Sequence, residues 1–108
     1  MANTFTSYAN KNVGTSAATV VTVGAATQTT VVGMSVANTS ASPITASAYF
    51  TRSAVDYYLI KSATVPVGSS LVLVGGDQKV VLIPSDALKV VTSAAASADV
   101  VTSVLNIT

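Results

Sequence analysis

Acid–base or metal chemistry in this sequence would have to rest on four aspartates, Asp56, Asp77, Asp86 and Asp99, because it holds no histidine, cysteine or glutamate. The usual general bases and transition-metal ligands are therefore missing. Asp77 and Asp86 fall in Gly75-Gly76-Asp77 and Pro84-Ser85-Asp86, where an aspartate ordinarily bonds nearby backbone and shapes a turn. A calcium loop needs several oxygen ligands from one short segment, and no D-x-D-x-D spacing occurs. Gly75-Gly76-Asp77-Gln78-Lys79 lacks the Gly-Lys-Ser/Thr pattern and the helix start of a phosphate loop, so it is expected as a hairpin turn. None of the many serines sits in G-x-S-x-G, and the histidine that would activate one is absent. No catalytic residue, metal site or cofactor is expected, and the chain is not expected to be an enzyme.

The aromatic residues offer binding rather than catalysis. Tyr49, Tyr57 and Tyr58 are clustered in sequence, and adjacent Tyr57 and Tyr58 must point to opposite faces of a strand, one to the core and one outward. A tyrosine platform for a glycan or receptor is one use of them; a packed or interface anchor is the other, since tyrosine brings large contact area with a polar tip. Phe5, Tyr8, Tyr49 and Tyr58 are the expected interface residues.

These side chains must be positioned by short strands. Between residues 64 and 91, apolar runs at 71–74, 79–83 and 87–91 alternate with the turn signals Pro66-Val67-Gly68, Gly75-Gly76-Asp77 and Pro84-Ser85-Asp86. That spacing predicts successive antiparallel strands in a meander. Ala2 to Gly14 is expected to hold at most one short strand behind a mobile tip, Met1 to Thr4, with residues 1–12 forming a mobile N-terminal arm that orders on docking. Residues 17–23 alternate weakly, and in 29–38 Val32, Met34 and Val36 are expected to face the core. Asn38 to Pro43 reads as a loop, and 44–52 resumes as a strand with Ile44, Ala46, Ala48 and Phe50 on one face.

Ser53-Ala54 lacks the Gly or Asn of a tight primed turn, so a three-residue or bulged hairpin is expected, which would set Arg52 opposite Asp56. Such an exposed pair is worth about 0 to 1 kcal/mol and would fix register more than stability. Ser93 to Ser97 is expected as a loop, since five small residues provide no apolar stripe for a helix, and 100–108 closes the chain as a strand with Val101, Leu105 and Ile107 on one face. Eight or nine strands and no helix predict one all-β domain over residues 1–108, an antiparallel sandwich that is jelly-roll-like or immunoglobulin-like.

Composition narrows the partners. Charged residues make up 8% of the 108, against about 25% in an ordinary soluble domain, so the surface must be built from Ser, Thr, Ala, Asn and Gln. Such a surface is cheap to dehydrate and suits being covered by other protein. A net charge of +1 without basic runs argues against nucleic acid. No apolar run approaches membrane-spanning length and no signal peptide is evident at the start, so synthesis in a cytoplasm is expected.

The opening MANTFTSYANKNVGTSAATVVTV, the middle VVGMSVANTSASPITASAYFTRSAVDYYLIKSATVPVGSSLVLVGGDQKVVL and the ending VTSAAASADVVTSVLNIT resemble small virion proteins of tailed bacteriophages, cyanophages among them. The most specific pieces are P-V-G-S-S-L, G-G-D-Q-K and A-S-A-D-V-V-x-S-V-L-x-I. Where such relatives often carry a Pro-Gly-Asp turn, this chain has Pro84-Ser85-Asp86. The resemblance implies a homo-oligomeric particle component, trimer or ring, that contacts other virion proteins: a neck or tail subunit first, a capsid cement or decoration protein second.

Overall fold

The computed structural model describes residues 3–74 and 79–108. Among these residues all regular structure is strand: β1 (Asn3–Val13), β2 (Ala18–Thr22), β3 (Gln28–Asn38), β4 (Ile44–Arg52), β5 (Val55–Val65), β6 (Ser70–Val74), β7 (Val80–Leu82), β8 (Ala87–Thr92) and β9 (Ala98–Ile107). They form two antiparallel sheets. Sheet A has the order β1-β9-β3-β6, with β7 also on β3, and sheet B the order β2-β8-β4-β5.

The pairs are nested: first strand with last, β2 with β8, β3 with β6 and β7, β4 with β5. A long hairpin rolled up on itself pairs in this way, which makes the sandwich a jelly roll rather than an immunoglobulin fold. The expected meander is not formed. β6 and β7 run in the same direction along different parts of β3, Ser70–Val74 opposite Ala37–Met34 and Val80–Leu82 opposite Val31–Thr29, while β8 belongs to sheet B. The turn expected at Gly75-Gly76-Asp77-Gln78 lies outside the described residues.

β-branched residues supply the strands and also the core, where Val31, Val36, Val65, Val90, Val100 and Val104 are fully buried with Leu82 and Leu88. Each such side chain contributes about 1.5–3 kcal/mol by leaving water. Bulges decide which residues these are. In β3 the pairing with β9 steps from Val31–Val104 to Gly33–Ser103, leaving Val32 as the extra residue. The alternation changes phase there, so Val31, Met34 and Val36 are buried and Val32 is not. The same device at Val20 in β2 buries both Val20 and Val21. β4 carries no such phase change across its core half, and Ile44, Ala46 and Ala48 are buried as their spacing predicts, with Phe50 packed at the margin.

The small-residue run after β8 is a loop, and its composition has a packing reason. A Cβ on Gly14 would lie 2.8 Å from the Ala96 nitrogen, so the two segments approach too closely for larger side chains. The amide of Ser97 donates to the Val13 carbonyl at 3.0 Å and that of Thr92 to the Gly14 carbonyl at 2.9 Å, closing this end of the sandwich. At the other loop, the side-chain amide of Asn38 donates to the carbonyls of Ser42 and Val65, holding 38–43 in place.

Two expectations for the N-terminal and hairpin regions are corrected. β1 is eleven residues long, not a short strand, because its backbone pairs with β9 from Asn3 onward. The β4–β5 connection is a two-residue turn in which Ser53 and Ala54 both take positive φ, 53° and 63°. That is the primed-turn geometry whose twist matches a hairpin, adopted here at a steric cost of about 1–2 kcal/mol per residue. The shorter turn moves the register by one: Arg52 faces Val55, Thr51 faces Asp56, and the expected Arg52–Asp56 pair does not form.

Candidate assembly surfaces

Sheet A presents its outer face through the residues that alternate with the core set. Register places Phe5, Leu105, Thr30 and Val81 in one row across four strands, and Ala9, Val101, Ser35 and Val72 in another. Ser7, Ser103 and Gly33 lie between the rows. The apolar members are open to solvent, Phe5 at 75%, Val72 at 66%, Val81 at 57% and Val101 at 47% exposure. Neither row contains a charged residue. Lys11 and Asp99 are at one end of the face, with Nζ 3.4 Å from the carboxylate. The arrangement can shed water with little penalty, because hydroxyls and methyls are what would be covered.

The outer face of sheet B is built differently. Tyr49 stands between Tyr58 on β5 and Lys89 on β8, and the tyrosine rings lie 4.9 Å apart at 39°. Lys61 Nζ sits 5.0 Å from the Tyr58 ring centroid, and the Thr51 hydroxyl donates to Asp56 at 2.7 Å. Burial first, then the Asp56 carboxylate and the Tyr58 hydroxyl, push the Tyr49 phenol above its ordinary pKa. Two rings tilted against each other, one with an ammonium over it, make a poor flat platform for a sugar ring.

Below this face, on the opposite side of the same hairpin, Tyr57 stacks on Phe50 at 5.3 Å, and Arg52 lies 5.0 Å from the Phe50 centroid. Tyr57 and Tyr58 do point to opposite faces, yet neither is core: both are close to half exposed, because this end of edge strand β5 is not covered by the other sheet. The Arg52 guanidinium donates to both carboxylate oxygens of Asp86, at 2.6 Å from Nη2 and 3.0 Å from Nε. Asp86 is 1% exposed and also accepts the Ile83 amide at 2.9 Å. Hydrogen bonding from Arg52 holds its carboxyl below the usual range against the opposing effect of burial, and the Ile83 amide adds to it. The same bond raises the Arg52 pKa.

The turn that presents Asp86 is closed by its amide donating to the Ile83 carbonyl at 3.1 Å, with Ser85 at φ 74°. A positive φ at the third position of a Pro-containing turn is the place for glycine. Serine there retains the turn under strain.

The four expected interface residues are thus divided. Tyr49 and Tyr58 meet on sheet B, Phe5 stands on the outer face of sheet A, and Tyr8 faces Thr102 on the inner side of β1, at the open margin of the sandwich. Sequence reasoning missed the Arg52–Asp86 clamp, whose partners lie 34 residues apart with nothing local to link them. Among the described residues no group of three or more acidic, histidine or cysteine side chains could hold a metal. A recess of about 310 Å³ beside the β1 bulge is lined largely by Gly14, Thr15, Ser16, Ala17, Ala95 and Ala96, and offers no titratable group but Lys11.

No protein-family profile matches the sequence, and no curated protein does so either. Solved structures do share the fold. A subunit of the Bacillus endospore appendages, described as disulfide-linked pili, superposes over 98% of this chain and 88% of its own, with a TM-score of 0.56 and 14% identity. A chain from infectious bursal disease virus, Gx strain, matches over 98% of this chain but only 33% of its own, with a TM-score of 0.54 and 12% identity. A chain of the cyanophage Pam1 capsid asymmetric unit corresponds more loosely, with a TM-score of 0.39 at 20% identity over 97% of this chain and 82% of its own.

Proposed function

We propose that this chain is a non-enzymatic structural subunit of a virion, which assembles with copies of itself through the outer face of sheet A. The observation that carries the proposal is the pair of charge-free cross-strand rows, Phe5–Leu105–Thr30–Val81 and Ala9–Val101–Ser35–Val72, exposed on a chain with only 8% charged residues. Exposed apolar patches rimmed by polar residues mark association sites, and closed symmetric oligomers are the usual way such a face is covered. The jelly-roll topology and its likeness to a virus-derived chain and a pilus subunit lend fold-level support.

The sequence resemblance points to a neck or tail position in a tailed phage. A capsid cement role is the second reading, favoured by the jelly roll, a fold common in viral capsid domains. Phe5 belongs to the self-contact in either case, Tyr8 flanks it from the inner side of the β1 edge, and Tyr49 and Tyr58 belong to a contact with a neighbouring virion protein.

The test is native mass across a wide concentration range. A fixed closed oligomer is expected; a chain that stays monomeric up to about millimolar concentration has no self-association of the strength proposed. Gold-labelled antibody on intact particles then separates neck or tail from capsid surface.

A further inference from the structure

Among the described residues, the four outer sheet edges are not equally protected. The β6/β7 edge is split into two short pieces, and β2 has five residues with a bulge at Val20. β5 carries Asp56 and Lys61, two register shifts against β4 and a positive φ of 55° at Ser62. Charges, bulges and short length are how natural proteins keep an edge from pairing with another chain. β1 has none of these over residues 3–10: eight consecutive residues pair with β9 from Asn3–Ile107 to Asn10–Val100 without a shift, and the segment NTFTSYAN contains no charge, proline or glycine. Along this edge every second residue turns its N–H and C=O away from β9. Side-chain burial adds an independent sign, since residues 3–9 are exposed on both faces of the strand, Tyr8 on the inner side as well as Phe5 on the outer.

We infer that β1 is a strand-addition site whose occupant is the β1 strand of a second copy, antiparallel across a two-fold axis. This rests on the self-association proposed above and adds an edge contact to it: the pairing sets two sheet A faces side by side and leaves their outer rows for other copies to cover. Two uncharged, identical edges meet without repulsion, and a two-fold contact needs no second complementary surface. Residues opposite one another in a sheet share a face, so only registers in which a residue faces its own counterpart join outer face to outer face. Centring on Thr6 or on Ser7 keeps the longest pairing within residues 3–10. With Ser7 on the axis, Phe5 of one protomer stands against Ala9 of its partner, and the two sheet A faces merge into one continuous surface whose cross-strand rows carry no charge.

The absence of cysteine makes the test direct, since a single introduced cysteine can be linked only between chains. Thr6→Cys and Ser7→Cys are treated with a short bis-maleimide, beside Ser62→Cys on β5 and Val72→Cys on β6, and native mass is measured on the same samples. The expected result is near-complete linkage at position 6 or 7 and little at 62 or 72. Ser7→Lys, which sets like charges close to the axis, is expected to weaken the association by about fivefold or more while leaving the unfolding transition unchanged. An oligomer in which 6 and 7 do not link, or in which 62 or 72 links instead, overturns the β1 pairing and leaves self-association standing. A monomer at all concentrations overturns both.

Discussion

The two outer faces of this sandwich are made from the same residue pool and differ in where the ions stand. On sheet B, Lys61, Lys89 and Asp56 surround Tyr49 and Tyr58, whereas the two cross-strand rows of sheet A contain only aliphatic, aromatic and hydroxyl side chains. A face that retains its ions must find them new partners when covered, and a face without them need not. Low charge content therefore describes one face better than it describes the molecule.

The sharpest way to break that contrast is to give sheet A the charges it lacks. Val101→Asp with Leu105→Asp places two carboxylates in the outward rows of β9, where no basic side chain stands opposite. Self-association is expected to weaken at least a hundredfold, about 3 kcal/mol, in sedimentation or light scattering, with the β-sheet circular dichroism retained. Tyr58→Asp, the matched change on sheet B, is expected to alter it less than about threefold. If Tyr58→Asp is the more disruptive of the two, the assignment of faces is reversed. Tyrosine emission that is quenched by added oligosaccharides would instead favour a binding role for the Tyr49–Tyr58 pair.

The next largest effect concerns how sheet B holds its hairpin. Asp86 is buried, and its carboxylate accepts bonds from Arg52 and from the Ile83 amide, tying the hairpin end to the turn before β8. Asp86→Ala removes these bonds and is expected to lower unfolding free energy by about 2 kcal/mol in urea titration. The pH dependence has a definite sign. Because the folded-state pKa of Asp86 is depressed, its contribution is complete above the unfolded value of about 3.9 and is lost as pH falls through the lower folded value. The gap between wild type and Asp86→Ala should therefore narrow below about pH 4. A gap that stays constant to pH 2 would mean that the carboxylate is not the source. Self-association through sheet A is expected to be unaffected at neutral pH.

These elements also show how far the sequence could be read. The strand count, the all-β sandwich and the buried face of β4 follow from period-two alternation, since there the burial is local and uninterrupted, whereas in β9 the face that the alternation singled out, Val101, Leu105 and Ile107, is the outward one. β3 was legible as a strand but not in phase, because the bulge at Val32 depends on which strand pairs beside it. The meander was misjudged for a related reason: β6 and β7 are adjacent in sequence, yet both gain more by pairing with β3 than with each other. At the β4–β5 turn the local preference against positive φ at Ser53 and Ala54 lost to the twist of the hairpin, and Arg52 then found its carboxylate at Asp86 rather than at Asp56. Of the candidate interface residues, aromatic type alone identified Phe5, Tyr8, Tyr49 and Tyr58; their division among surfaces required the register of both sheets.

The smallest effect sharpens the comparison from beneath. Thr102 on β9 faces inward between Tyr8 and Met34, and its hydroxyl is buried with no hydrogen-bond partner among the described residues. An unsatisfied buried hydroxyl forfeits its bonds to water without replacement, so substituting a methyl group of nearly the same shape removes a penalty. Thr102→Val is expected to stabilise the fold by about 1 kcal/mol, raising the melting temperature by about 4 °C at a monomeric concentration. Because the side chain points into the core, the outer rows keep their residues and self-association should remain within about twofold of wild type. In that background the Val101→Asp, Leu105→Asp pair can be read cleanly: assembly that fails in the stabilised chain as it fails in the parent is lost at the surface, whereas assembly restored by Thr102→Val would trace the defect to a loosened β9 and remove the case for a charge-free contact face.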